Sequence, residues 1–562
     1  MRATDYAQVI LYIGALIALT PLLGSYMAAV FEGRKTFMSR LCAPIESSLY
    51  KLCGIDEKEE MGFWDYTKAV LWFNFFGFVL LFIIQTAQKY LPLNPYHLPN
   101  IGWDLSFNTA MSFMTNTNWQ AYSGESTLSY FTQMVGLTVQ NFVSAATGIA
   151  VFIAFTRGLI NRSASSLGNF WKDLVRATVY VLIPLSIVLA ILLTGQGVVQ
   201  TFAPYKHVAT LQGTEQVLPL GPAASQIAIK QLGTNGGGYF GVNSAHPFEN
   251  PTPFSNFLEM LAILFIPAGL VYTYGVMIKN KKHGWLLFTV MLLIFAGGLA
   301  LSLWSEYSTA VPKVVTALEG QEVRFGPTNS IIWAMATTVA SNGSVNAMHS
   351  SLSPIAGGVA LFNIMLGEII FGGVGSGMYG MLLHVMLTVF LAGLMVGRTP
   401  EYLGKKIEGN EIKMVILGVL LPSVFVLVGS AVSCVLPMAL SSLANNGPHG
   451  LTEILYAFTS ASNNNGSAFA GLNVNTVYYN VFLGLAMLVG RFGVIIPVMF
   501  IAGSMAVKKV SPVTAGTFST NSTLFAILLI GVFIIVGVLT FLPALCLGPV
   551  IEHLLMLKGF TI

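Results

Sequence analysis

The sequence predicts an all-α polytopic membrane protein of ten transmembrane helices. Four tandem membrane–pore helix–membrane repeats surround a pseudo-fourfold axis, and one extra helix stands at each end. Three observations predict this: a shortage of charge, ten apolar runs, and four similar polar segments set between those runs. The chain has 562 residues with 27 basic and 23 acidic side chains, 9% charged and 54% apolar, and a mean hydropathy of +0.72. A soluble domain carries about 25% charged residues. The composition excludes a disordered chain, a disulfide scaffold and a basic nucleic-acid binder. It also leaves too few charges to solvate a water-soluble enzyme of this size.

The apolar runs fall at 9–30, 69–87, 131–155, 177–193, 260–278, 285–304, 361–397, 414–436, 477–507 and 524–547. Each is long enough to cross a bilayer as a helix, which takes roughly 20 residues. The first is too long for a signal-peptide core and has no small-residue cleavage site, so it reads as a permanent span. The seventh is too long for one straight helix and contains Gly372, Gly373, Gly375, Gly377 and Gly380, which predicts a broken or re-entrant helix. The ninth carries Arg491 inside it.

One set of connecting loops holds 19 of the 27 basic residues and the opposite set holds seven. By the positive-inside rule the richer set is cytoplasmic, and both termini face away from the cytoplasm. The four cysteines form no CxxC pair and the eight histidines show no ligand spacing, so neither a disulfide nor a zinc site is expected. His246, His349 and His449 read as polar loop residues.

Four outside loops share one grammar: a short apolar helical stretch, a run rich in Thr, Ser, Asn and Gly, then the next span. The stretches 105–114, 223–232, 331–340 and 451–460 lead into the runs 115–120, 233–238, 341–344 and 463–467. The central positions Thr117, Asn235, Asn342 and Asn465 are spaced by 118, 107 and 123 residues. The units run 67–160, 161–282, 283–410 and 411–510; 1–66 holds the first helix with a cytoplasmic loop, and 511–562 the last helix.

Stretches of about 8–10 residues make about 15 Å of helix, half a membrane. Half-helices survive there only when buried in protein or lining a wet cavity. Four around one axis aim their partially negative C-terminal ends at a common centre, which favours a cation. None of the four polar runs contains Asp, Glu, Lys or Arg. Backbone carbonyls are therefore the expected ligands, supported by Thr, Ser or Asn oxygens. Rings of carbonyls replace the hydration shell of a weakly hydrated monovalent ion. Magnesium dehydrates reluctantly and calcium prefers carboxylates, so both fit poorly.

The chain resembles the potassium-binding A subunits of the bacterial Kdp potassium-transporting P-type ATPases. The resemblance rests on Asn116-Thr117-Asn118-Trp119-Gln120 with Tyr122-Ser123-Gly124-Glu125, on Leu232-Gly233-Thr234-Asn235-Gly236-Gly237-Gly238, and on His246-Pro247-Phe248-Glu249-Asn250-Pro251. It rests also on the stretch from Gly397 to Lys406 and on Gly490-Arg491-Phe492-Gly493, and it covers essentially the whole chain. The resemblance implies the fold of the Trk/Ktr/HKT superfamily of potassium transporters and one high-affinity potassium site. The implied filter residues are Thr115, Asn116, Thr117, Asn118, Thr234, Asn235, Gly236, Ser341, Asn342, Gly343, Asn464, Asn465 and Gly466. Gly233, Gly237 and Gln120 lie beside them, and Gln120 is implied to influence potassium affinity. Further implied are a bacterial inner-membrane location and three partners: a catalytic P-type B subunit that hydrolyses ATP with magnesium, a C subunit and a very small F subunit. Potassium is implied to pass from the filter through a tunnel toward the catalytic subunit.

This chain has no Asp-Lys-Thr-Gly-Thr phosphorylation motif and no Gly-x4-Gly-Lys-Ser/Thr loop, and its cytoplasmic loops are too short for a nucleotide-binding domain. It is not an enzyme on its own, and uphill transport needs a partner's energy. The alternative is a stand-alone potassium transporter or channel of the same superfamily, driven by the electrochemical gradient. A secondary transporter would show inverted two-part symmetry instead of four loops on one face.

Charges inside spans are costly and face protein or water. One or both of Arg491 and Arg398 are expected to set an electrostatic barrier below the filter. Glu368, next to the break at Gly372, Gly373 and Gly375, is expected to pair with an arginine or cap the broken helix. Glu259 is expected at the membrane interface. Lys230, in the last turn of the second half-helix, must turn its amine away from a cation filter.

Overall fold

The computed structural model describes residues 1–308, 319–397, 399–510 and 518–559. Among the described residues ten helices are long and apolar enough to cross a membrane. They are Ala3–Phe31, Phe63–Thr86, Thr132–Ile160, Phe170–Gly195, Pro253–Met277, Lys281–Glu306, Ser376–Met395, Gly409–Ser433, Val477–Val507 and Thr523–Leu557. They coincide with the ten apolar runs of the sequence.

Burial sorts these spans into two layers. The most apolar windows of the third, fifth, seventh and ninth helices are 83%, 83%, 67% and 56% buried, whereas those of the other six are 28–44% buried. The second helix of every predicted repeat is thus an inner helix, and the first is an outer one with lipid-facing side chains. The two extra helices belong to the outer layer. The first packs along the fifth, where Gly24 lies so close that a Cβ there would overlap the Gly269 carbonyl. Thr273 Oγ1 donates to the Gly24 carbonyl at 3.0 Å, and Tyr12 donates to the Met260 carbonyl at 3.1 Å. The last helix packs by Gly537 against Leu366 and Phe362.

Between the two helices of each pair lies a shorter helix: Trp103–Met114, Ala223–Leu232, Gly326–Val339 and Gly447–Ser462. The last two begin earlier than the sequence pattern suggests. Each has a proline in its first turn, which starts a helix without needing an N–H partner and lengthens it outward.

The seventh span is broken, as its glycines predict. A helix Pro354–Met365 ends, residues 366–375 are non-helical, and Ser376–Met395 resumes. Glu368, Phe371 and Gly375 take left-handed backbone angles in the break, at φ 55°, 47° and 82°. Gly377 and Gly380 sit in the second helix, and Gly377 packs directly on Gly372 of the break.

The helix Ser39–Cys53 was not legible as more than a cytoplasmic loop. Its Glu46 accepts from Arg176 Nε at 2.8 Å and from the Tyr50 and Tyr180 hydroxyls at 2.6 Å. Burial pushes this carboxyl up, but those three donors outweigh it and hold it below the ordinary carboxylate range. His349 lies in the loop as read, in the short turn His349–Ser351, and is buried there with a hydrogen bond to the Tyr456 hydroxyl at 2.7 Å.

At the end of the third span Arg157 clamps the buried Asp173, with Nη2 to Oδ1 at 2.8 Å, and Tyr66 donates to the same carboxylate at 3.0 Å. Removing one member of a buried pair strands the other. Arg157→Ala is expected to destabilise by about 3 kcal/mol, read as a lower melting temperature in detergent. Arg157→Leu with Asp173→Leu is expected to recover most of the loss.

Candidate ion-binding site

The four short helices end at corresponding places, and the segments that follow share one backbone pattern. Asn116, Thr234, Ser341 and Asn464 have φ of 67°, 48°, 54° and 59°. Two residues on, Asn118, Gly236, Gly343 and Gly466 have φ of 53°, 81°, 87° and 94°. Alternation of left-handed and ordinary backbone turns successive carbonyls to the same side of a strand. The register matches the sequence spacing of Thr117, Asn235, Asn342 and Asn465 residue for residue.

The segments close into a ring. A Cβ on Gly236 would overlap the Asn342 carbonyl, one on Gly343 the Asn465 carbonyl, and one on Gly466 the Thr117 carbonyl. The second, third and fourth repeats thus each back onto the central carbonyl of the next, the fourth returning to the first. Between the first and second, Gln120 closes the seam: Nε2 donates to the Gly238 carbonyl at 3.0 Å, and Gly238 N–H donates to Oε1 at 2.9 Å.

The asparagine side chains brace the ring. Asn342 Nδ2 donates to the Lys230 carbonyl at 3.1 Å, and Asn465 Nδ2 donates to the Thr337 carbonyl at 2.9 Å. Their Oδ1 atoms accept from the N–H groups of Ser344 and Ser467 at 2.9 and 3.1 Å. Asn235 Nδ2 donates to Asn116 Oδ1 at 2.6 Å, and Asn464 Nδ2 to Thr117 Oγ1 at 3.0 Å. Asn342 and Asn465 are fastened at both amide atoms, whereas Asn118 Oδ1 and Asn235 Oδ1 are buried without a partner among the described residues.

Among the described residues no N–H or O–H donates to the carbonyls of Thr117, Asn235, Asn342 or Asn465, although all four residues are fully buried. The ring one residue inward differs: the Thr234 carbonyl accepts from Asn116 Nδ2 at 3.0 Å and the Asn464 carbonyl from Ser341 Oγ at 2.8 Å. The ring one residue outward has the Gly236 carbonyl taken by Asn243 Nδ2 at 2.8 Å. Buried carbonyls are nearly always paired. The four on adjoining strands here are open acceptors that no donor among the described residues satisfies.

The break 366–375 of the third repeat lies beneath this ring. Val374 N–H donates to Thr234 Oγ1 at 3.0 Å, Gly373 abuts Ser341, and Gly375 packs on the Gly148 carbonyl of the third span. One segment therefore touches the base of two filter strands and an inner helix of the first repeat, so it passes under the opening. Arg491 of the fourth repeat completes the floor. It is buried, and its Nη2 donates to the Ser144 carbonyl at 3.2 Å. Glu368 lies within the break, not before it, beside Ser341 and Asn465 and facing Arg491, with Oε1 lacking a protein partner. No ion pair within 4 Å joins Glu368 to Arg491 among the described residues. A cavity of about 70 Å³ opens here, lined by Ser341, Glu368, Asn464 and Arg491 and, on its far side, by Phe533 and Phe541 of the last helix. It lies between the base of the ring and the last helix.

Arg398 lies outside the described residues. Lys230 turns its amine away from the ring, to Glu249, Asn243 Oδ1 at 2.8 Å and Ser244 Oγ at 2.9 Å. Glu259 corrects its interfacial reading. It is fully buried behind the second strand and accepts from Gln231 Nε2 at 2.9 Å. The sequence reading gave Asn243, Ser144 and Val374 no role. Their only signals are a polar residue in an apolar span and backbone groups that no side-chain pattern marks.

Gly466→Ala puts a Cβ into the Thr117 carbonyl at a left-handed position. Strain of about 1–3 kcal/mol is expected to open the ring, with loss of monovalent-cation binding by calorimetry and unchanged helix content by circular dichroism.

A family model described as potassium-transporting ATPase A subunit (KdpA) matches residues 10–554. A protein described as "Potassium-transporting ATPase potassium-binding subunit" from Leptospira interrogans (strain Fiocruz L1-130) is 56% identical over 562 residues, covering 99% of this chain and 100% of its own. Relatives with the same description from Pseudomonas entomophila and Pseudomonas aeruginosa are 54% and 55% identical, each over 99% of both chains.

Proposed function

The chain belongs to the family of the potassium-transporting ATPase A subunit, and from that premise we propose that it is the potassium-binding, channel-like subunit of an ATP-driven potassium importer. The observation that carries this reading is the ring of four buried carbonyls without donors, at Thr117, Asn235, Asn342 and Asn465. Neutral carbonyl dipoles replace the shell of a weakly hydrated cation without the strong trapping that a carboxylate ring produces. The half-helix C-termini add a negative potential at the same place.

The ion comes from the extracytoplasmic side, loses water in the filter and stops at the floor. Arg491 supplies the stop. At about 6 Å and an effective dielectric of about 20, two unit charges repel by about 3 kcal/mol. The break 366–375 closes the direct route sterically, and the cavity beside Glu368 offers a lateral one. Potassium leaves sideways toward a catalytic P-type B subunit, which hydrolyses ATP with magnesium; C and F subunits complete the assembly. The protein sits in the bacterial inner membrane with both termini outside, on the charge asymmetry of its loops. The sequence units 67–160, 161–282, 283–410 and 411–510 are its four repeats.

Reconstitution tests the reading. The purified complex is expected to take up rubidium tracer only with ATP and the partner subunits. Rapid passive flux through this chain alone would assign it instead to the stand-alone transporters. Gly236→Asp places a carboxylate in the ring and is expected to relax or abolish potassium selectivity with the fold intact. Arg491→Gln is expected to raise passive leak by 10- to 100-fold, the size of the lost repulsion. An unchanged leak rules out the barrier at that residue.

A further inference from the structure

Behind the second filter strand lies a buried charged cluster that no ion path uses. Lys230 is fully buried, and its amine reaches Glu249, Asn243 and Ser244. Glu249 Oε1 accepts from Phe240 N–H at 2.9 Å, which fixes the turn beyond the strand. Asn243, in a left-handed conformation at φ 55°, uses its other amide atom to donate to the Gly236 carbonyl. The same lysine holds the strand from its other end, because its backbone carbonyl accepts from Asn235 and Gly236 N–H at 2.8 and 3.1 Å.

A charged lysine has no structural need to sit here. An apolar side chain fills such a position without the cost of burying an ion pair. What the pair accomplishes is specific to one atom. The ammonium polarises Asn243, and a polarised amide is a stronger donor to the carbonyl it touches. The equivalent carbonyls of Asn118, Gly343 and Gly466 accept no protein donor among the described residues. The outermost ring therefore has three open carbonyls and one that is engaged.

We propose that Lys230, acting through Asn243, is a positioning residue that withdraws the Gly236 carbonyl from the outermost ring and so confines the ion to the central ring of Thr117, Asn235, Asn342 and Asn465. This rests on the filter reading above. A mouth with four free carbonyls would hold a second, loosely fitted cation before the central ring tests its size. A mouth with three passes the ion inward, and discrimination falls to the tighter ring. Glu249 keeps the ammonium from adding its own charge to the potential at the filter.

Two variants of the co-purified complex test it. Asn243→Gly tolerates the left-handed backbone and removes the donor while leaving Lys230 with Glu249 and Ser244. Lys230→Met with Glu249→Gln removes the charge pair together. Binding of potassium and caesium is measured by calorimetry, with thermal melting as the fold control. Both variants are expected to lower the potassium-over-caesium ratio by about tenfold, the size of one hydrogen bond's contribution, with a folded complex. If the melting temperature falls and the ratio stays, the cluster is only a scaffold and the proposal is overturned. Gly236→Asp is run alongside. Loss of binding there with an unchanged ratio in the two variants overturns the role of Lys230 and keeps the filter. Intact binding with an unchanged potassium-over-caesium ratio in Gly236→Asp overturns both.

Discussion

The architecture is arranged around four backbone carbonyls with no protein donor among the described residues. A buried carbonyl without a donor is costly, and a fold tolerates four in one place only if something else satisfies them. The surrounding architecture keeps them open. Left-handed residues aim them, glycines at 236, 343 and 466 let each strand approach the next, and asparagine side chains fasten the strands from behind. The short helices carry the strands inward between the spans, and the inner helices bury them. The outer helices separate that polar centre from lipid.

The constraint also explains where charge is found. The filter strands have none, because a carboxylate would bind too tightly and an ammonium would exclude the ion. Charge is instead placed one layer away, always held. Lys230 is paired with Glu249 behind the second strand, and Glu259 is hydrogen-bonded there. Arg491 and Glu368 are the exceptions: the arginine is fastened only to a carbonyl, Glu368 Oε1 has no partner among the described residues, and both line the cavity. In the proposed path, a cation that reaches the floor meets a fixed positive charge and a crossing segment, with the cavity beside Glu368 next to it.

Much of this is written in the sequence. Twenty-residue apolar runs give spans because a helix satisfies its own backbone in lipid, and the glycines of 372–380 marked the broken helix. The spacing of Thr117, Asn235, Asn342 and Asn465 gave the register of the filter, because each strand repeats the same backbone demand. Side-chain roles were less legible. Asn342 and Asn465, whose type suggested supporting ligands, also brace the ring, since their amides find carbonyls more than a hundred residues away. Glu259 looked interfacial because it stands near a helix end, yet the loops folded over it bury it. The helix Ser39–Cys53 escaped notice because its charges and interruptions resemble a loop until Glu46 meets Arg176. Contacts made through backbone atoms, such as Val374 to Thr234, leave no trace in residue type.

The most direct measurement is anomalous diffraction from the complex soaked in rubidium or thallium, which replace potassium and scatter strongly. The account predicts one principal peak on the ring axis, bounded by the carbonyls of Thr117, Asn235, Asn342 and Asn465. A principal peak beside Glu368 in the lower cavity, with the ring empty, would contradict it.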